Sequence, residues 1–310
     1  MRNLIKFLSF FLVLIIIILT PVLGIPDQFG NSYQRAIVPQ YDFYKGMNNN
    51  KIVFVGNSSL SYGLDINLME QLTGKRCAIL GNHAGFGMTY FLEMSKSNLR
   101  KGDIVVIEFD NQKLETCGTE LLLTGIGKRF DMYRFIHPAV RGKVIDAYPS
   151  YLKKSFNYWQ GDGLNVSGVY SLQSYDYRGN MIVQRENCTI PYPFTENVAK
   201  TYNYGYFKPI QIEEEFKNYL NKYSDYCKKL GVDVYYTTTY FLDEAFRSTA
   251  EEIVAYDNSL KAQLKAPLIS NSEDHIFPRK YIYNAISHCN SKGAQYRTKL
   301  LYEDLKPYIK

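Results

Sequence analysis

The chain has no Cys-x-x-Cys pair, no block of lysine and arginine, and no charge between Phe7 and Ile25. Each absence removes a class of function. The five cysteines, Cys77, Cys117, Cys188, Cys227 and Cys289, are too scattered for a zinc ribbon or a dithiol redox site. An odd count leaves at least one thiol free, and one disulfide stays open in an oxidising compartment, with the pair unspecified. The net charge is +6, but its basic residues are dispersed, which argues against a dedicated nucleic-acid binder. The same balance suits an anionic envelope surface.

The uncharged run from Phe7 to Ile25 follows Arg2 and Lys6. A spanning helix needs about 20 apolar residues, and this run has that length. It reads as a retained signal anchor, or as a signal peptide cut after the small residues Val22-Leu-Gly24. Either outcome puts the rest of the chain outside the cytoplasm, because the positive end stays inside. The expected localisation is therefore single-pass in the cell membrane, or secreted or periplasmic after cleavage. Residues 26–50 read as a linker or a short cover over a sheet, broken by Pro26, Gly30, Pro39, Gly46 and Asn48-Asn-Asn50.

The remainder, 51–310, is long enough for one large domain with an insertion. Hydrophobic residues make up 46%, ample for a core, and charged residues 21%. The 28 tyrosines, richest in the second half, fit a sugar-binding surface or simply a strand-rich composition.

Lys51-Ile-Val-Phe-Val55 is a short β-branched run that stops at Gly56-Asn-Ser-Ser59. Ile66, Met69 and Leu72 then recur at helical spacing. This predicts Ser58 at a strand-to-helix junction on the carboxyl edge of a sheet, where open α/β sheets hold their ligands. Backbone N–H groups at such a junction can bind an oxyanion. Arg76-Cys-Ala-Ile-Leu80 reads as a second strand, running into the glycine-rich turn Gly81–Gly87 and a helix from Met88 to Asn98. Ile104-Val-Val-Ile-Glu-Phe109 is a third strand, ending at Asp110-Asn111. Strands and helices alternating at this spacing predict a central parallel sheet.

The pattern then breaks. Residues 112–206 hold a helical stretch near Glu120–Lys143 and aromatic, glycine-rich text around Tyr158–Gly163 and Tyr202–Tyr206. They read as an inserted cap over the strand edge. His137, before Pro138, reads as structural. The α/β text returns as a helix over 212–230, a strand over 231–239, a helix over 242–264, a last short strand at Ala266–Ser270, and a closing helix over 290–305. His288 sits in a loop ahead of that last helix. A serine nucleophile needs a base within hydrogen-bond reach, in any chain order.

Taken in sequence, these blocks resemble the SGNH/GDSL hydrolases. Gly56-Asn-Ser-Ser59 is similar to their first block, Gly81–Gly87 to their second, Asn111 to their asparagine block, and His288 with Asn290 and Gly293–Thr298 to their closing histidine block. Leu80-Gly-Asn-His-Ala-Gly-Phe-Gly87 followed by Lys101-Gly-Asp-Ile-Val-Val-Ile107 is similar to the membrane-anchored bacterial envelope branch. That branch includes DltD-like proteins of teichoic-acid D-alanylation and periplasmic partners of membrane-bound O-acyltransferases. The resemblance covers 51–110 and 211–305 and leaves the insertion out.

It implies an α/β three-layer sandwich with a central parallel sheet, of the SGNH/flavodoxin-like type. It implies Ser58 as nucleophile and His288 as base, with the Ser58 N–H, the Gly85 N–H and the Asn111 side chain as oxyanion donors. It implies no cofactor and no metal. Two departures stand out. Asn57 occupies the position before the serine where aspartate is usual, and no carboxylate lies just upstream of His288, where Asn284, Ala285 and Ile286 stand. Asn284 can orient the imidazole without a charge, or Asp274 can substitute. Two functions follow: a serine esterase or O-acyltransferase acting on an acylated envelope glycan or polymer, or a non-catalytic scaffold of a membrane acyltransferase or polysaccharide assembly machinery.

Overall fold

Four short runs, buried almost throughout, build one parallel sheet. The computed structural model describes residues 2–24, 27–161, 164 and 166–309. Strands β1 (Ile52–Val55), β2 (Cys77–Leu80), β3 (Ile104–Glu108) and β4 (Asp233–Thr237) lie in the order β2-β1-β3-β4. Val53 stands beside Ala78 on one side and Val105 on the other, and Val106 beside Tyr235. A parallel sheet covered on both faces has no wet side, so its strands read as continuous apolar runs.

The helices in chain order are α1 (Arg2–Gly24), α2 (Ile37–Lys45), α3 (Ser58–Gly63), α4 (Ile66–Thr73), α5 (Met88–Ser95), α6 (Thr119–Ile126), α7 (Pro138–Gln160), α8 (Glu196–Tyr202), α9 (Glu214–Leu230), α10 (Ala250–Gln263) and α11 (Ser291–Leu305). Alternate strand residues face opposite ways. Ile52, Phe54, Ile79 and Val106 pack with Ile66 and Met69 of α4 and Leu301 and Leu305 of α11. Val53, Val55, Leu80 and Ile107 pack in the larger cluster with residues of α2, α5 and α9. α9 shows how the sequence encodes this: Phe216, Leu220, Tyr223 and Cys227 form its buried stripe, and Gly231 ends it at φ 74°.

α1 is long and apolar enough to cross a membrane, and none of its apolar window is buried in the protein. The stretch read as a linker or a short cover packs as a cover. Phe29, Ile37, Tyr41 and Tyr44 are all buried against the sheet's larger cluster, so this segment covers the sheet. Pro39 falls in the first turn of α2, where a missing N–H breaks no helical bond. Pro26 lies outside the described residues.

Other boundaries also moved. The helix expected over 120–143 divides into α6 and α7 at Gly127, whose φ of 51° suits glycine, and α7 restarts with Pro138 in its first turn. Both pack into the core through Leu122, Leu123, Val140, Val144 and Tyr151. This part of the insertion is therefore built into the body of the domain rather than draped over it. Of the aromatic stretch ending at Gly163, residues 162 and 163 lie outside the description. The last strand is a single parallel bridge between Tyr236 and Leu268, because Pro267 has no N–H to extend a ladder. A second small sheet pairs β5 (Phe241–Leu242) with β6 (Ile276–Phe277) in parallel. All five cysteines are free.

At the sheet edge away from Ser58, Lys51 and Asp103 form a fully buried ion pair at 2.5 Å. Asp103 also accepts from the Lys51 and Arg100 backbone N–H groups at 3.2 and 2.8 Å. Those extra bonds satisfy a carboxylate that burial alone would penalise.

Candidate active site

The first three strands end in loops that hydrogen bonds tie into one surface. Ser58 opens α3 directly after the turn that leaves β1, where helix N–H groups have no internal acceptor. Asn57 caps that helix: its Oδ1 accepts from the Ser59 N–H at 2.9 Å, and its Nδ2 donates to Asp110 Oδ2 at 3.0 Å. Asp110 also accepts from Gln112 Nε2 at 2.7 Å, and Gln112 Oε1 accepts from the Met88 N–H at 2.8 Å. Gly81, at the end of β2, must be glycine because a Cβ there would stand 2.2 Å from the Gly56 carbonyl oxygen.

His288 arrives from the other end of the chain. Its loop is pinned by Tyr283 N–H to His288 carbonyl at 2.7 Å and His288 N–H to Ala285 carbonyl at 3.0 Å. Asn290 then caps α11 by accepting from the Gly293 N–H at 2.8 Å. His288 Nε2 lies 3.0 Å from Ser58 Oγ, across 230 residues of sequence. Its Nδ1 lies 2.9 Å from Asn284 Oδ1, and Asn284 Nδ2 donates to the Tyr170 hydroxyl at 3.1 Å. With the amide nitrogen on the phenol, its oxygen faces the ring. Nδ1 then carries the proton, and Nε2 is free to accept from Ser58.

Aromatic rings frame this line. The Tyr62 ring stacks on His288 at 3.9 Å between centroids. Tyr33 lies 5.7 Å from Tyr170 and 6.0 Å from His83. Burial pushes the His288 imidazole down to about 3, helped by the neighbouring His83 and Arg185. Burial also lowers His83. The site therefore holds neutral imidazoles.

Beneath Ser58 lies a buried polar strut. Ser59 Oγ contacts the Glu108 carboxylate, which pairs with the fully buried Arg297. Burial pushes the Glu108 carboxyl up, while Arg297 and Ser59 pull it back. Arg297 lies over the Tyr240 ring at 4.7 Å. The Tyr240 hydroxyl donates to the Ser59 carbonyl at 3.1 Å and accepts from the Cys289 N–H at 2.8 Å. One phenol thus bridges the neighbours of Ser58 and His288.

The structure brings together three of the residues singled out from sequence: Ser58, His288 and Asn284. The others stand differently. Asp274 is exposed in the short helix Ser272–His275, bonded to Asn271 Nδ2 at 3.2 Å rather than facing His288. The Gly85 N–H donates to His83 Nδ1 at 2.9 Å, so it is already engaged. Asn111 is exposed, while its neighbours Asp110 and Gln112 hold the loops. His137 caps α7 through its Nδ1, a structural use.

Sequence reasoning missed Tyr62, Tyr170, Tyr240 and the pair Glu108–Arg297. Tyr62 alone left a signal: it follows Ser58 by one helical turn, which puts both on one face. Among the described residues, no group of three or more His, Cys, Asp or Glu side chains is placed to hold a metal ion. No known protein family matches the sequence, and no curated protein matches it.

Proposed function

We propose that this chain is an extracytoplasmic serine esterase or O-acyltransferase of the SGNH/GDSL kind, a three-layer α/β sandwich held at the membrane by α1. The observation that carries the reading is the line Ser58–His288–Asn284, with both links at 3.0 Å or less. It joins a nucleophile at the start of α3 to a base and an orienting group from one loop near the other end of the chain, the arrangement that activates a hydroxyl.

Ser58 Oγ attacks the acyl carbonyl carbon, and its proton passes to His288 Nε2. The tetrahedral oxyanion faces the Ser58 N–H at the start of α3, next to the Ser59 N–H that Asn57 already holds. The ester C–O bond breaks, and the leaving alkoxide takes the proton back from His288. Water or a sugar hydroxyl then gives its proton to His288 and attacks the acyl-Ser58. The acid or the new ester departs, and the proton returns to Ser58. The substrate class is an acylated glycan or polymer of the cell envelope, and a membrane-bound O-acyltransferase is the fitting partner.

A second reading has its own support. Asn284 supplies no charge to steady an imidazolium, and His288 is weakly basic. A chain with that base suits a scaffold of acyl-transfer or polysaccharide assembly machinery. The two readings separate on turnover of a chromogenic acetyl ester by the full-length protein, with and without an oligosaccharide acceptor. The catalytic reading expects hydrolysis or acylated sugar, abolished in Ser58→Ala. No turnover, with Ser58→Ala fully active in the cell, supports the scaffold.

A further inference from the structure

We propose that the C-terminal half of α7 lies in the headgroup region of the bilayer that α1 crosses, with Trp159 and Phe156 as its interfacial anchors. Three observations meet there.

The first is position. Phe29 is only 3% exposed. Its ring sits 5.6 Å from Tyr151 and 5.4 Å from Tyr158, both on α7. Gly24, the last residue of α1, is five residues before Phe29. Five residues reach at most about 18 Å when fully extended. A helix of 23 residues spans about 34 Å, the hydrocarbon core with little to spare. The point where the chain leaves the membrane therefore falls close to the end of α7.

The second is an apolar stripe on that helix, exposed among the described residues. Ile145 is 71% exposed, Phe156 39% and Trp159 53%. With the half-buried Leu152 they recur at helical spacing along one side. Phe156 and Trp159 touch each other, with ring centroids 5.7 Å apart. Trp159 is the only tryptophan in the chain.

The third is charge. Lys153 lies beside the stripe and is exposed, and no acidic residue occurs from Ala147 to Gln160, while Lys154 is on the opposite side of the helix, paired with Glu120 at 3.5 Å. Aromatic rings flanked by lysine, facing anionic lipid, are the composition that settles at a membrane–water boundary. The occupant is thus the lipid surface itself. Docking would fix the domain's tilt, and with it the distance of Ser58 from the membrane.

Because Trp159 is the only tryptophan, it reports its own surroundings without a label. The full-length chain is reconstituted into vesicles of phosphatidylcholine and phosphatidylglycerol, with or without bromine in the upper acyl chains. Its intact N-terminus is checked by mass. The expected result is blue-shifted Trp159 emission, quenched about twofold or more by the brominated lipid and shielded from aqueous iodide. The double variant Lys153→Glu, Phe156→Asp stays anchored through α1 and should lose most of that quenching. Water-like emission open to iodide and untouched by brominated lipid overturns the proposal. So does a native chain found cut near Gly24.

Discussion

The Tyr62 ring lies face to face with the His288 imidazole, 3.9 Å between centroids and 8° from parallel. Tyr62 follows Ser58 by one turn of α3, so the helix that presents the hydroxyl also presents the platform for its base. A ring face attracts a cation, and in the proposed reaction His288 becomes one only while it carries the serine proton. No carboxylate does this work, so the phenol ring carries more of it. Cation–π contacts are worth about 0.5–2 kcal/mol. Tyr62→Leu should therefore lower kcat/KM for an acetyl ester by a factor of about 2 to 30, with His288 still in place. Unchanged kcat/KM assigns Tyr62 to packing alone.

The pH response has a definite sign. His288 is lowered to about 3 by burial, with His83 and Arg185 adding to it. Below its unfolded value near 6.5, the unfolded chain binds a proton that the folded site refuses. Stability is thus fully present above about pH 6.5 and is lost as pH falls toward 3. His83, His137 and His275 are lowered by burial too and act in the same direction. Melting temperature should fall steadily from pH 7 to pH 5. Ester turnover per folded molecule should stay within about twofold over that range, because the base remains neutral. A turnover limb near pH 6.5 contradicts this.

Asn284 tests how far the missing carboxylate matters. Its amide oxygen holds Nδ1–H at 2.9 Å, which sets the tautomer but offers no charge to the imidazolium. Replacing a triad aspartate by asparagine can cost about 10⁴ in rate. Asn284→Asp adds that charge at the same position. It should raise kcat by about tenfold and bring an acid limb up toward neutral pH, since a nearby carboxylate raises an imidazole. A pH–rate profile of the variant reads both. Lower activity with no new limb means the amide is needed for its bond to Tyr170.

Tyr240 joins the two halves of the site through a single hydroxyl, at 3.1 Å from the Ser59 carbonyl and 2.8 Å from the Cys289 N–H. Tyr240→Phe leaves the ring over Arg297 and strands two buried backbone groups. That should cost about 1–3 kcal/mol of stability, seen as a lower melting temperature. Turnover should suffer by lower kcat with KM nearly constant, because the hydroxyl positions the reacting side chains without touching substrate. A rise in KM alone contradicts the positioning role.

The sheet was legible because both of its faces are covered. Each strand is built on a short apolar run, and the first two stop at Gly56 and Gly81. Ser58 and His288 were legible for a related reason, since each stands where such punctuation meets a helix start. The supporting shell was not. Arg297 meets Glu108 across 189 residues, and Tyr240 meets Ser59 across 181. Contacts of that span leave no local period, and a buried arginine on α11 reads like any exposed one. Asp274 misled because nearness in sequence to His288 is not nearness in space: the loop folds Asn284 back on the imidazole first. The segment before β1 left linker and cover both open, because its turn residues hid Ile37, Tyr41 and Tyr44, which pack only after the sheet exists.

In the proposed reaction, His288 activates Ser58. The most direct measurement is covalent labelling of the full-length protein by a fluorophosphonate, with the site read by peptide mass. The expected result is one adduct on Ser58, none in Ser58→Ala, and labelling about 10²–10⁴-fold slower in His288→Ala. An unlabelled wild-type chain, or equal labelling with and without His288, contradicts it.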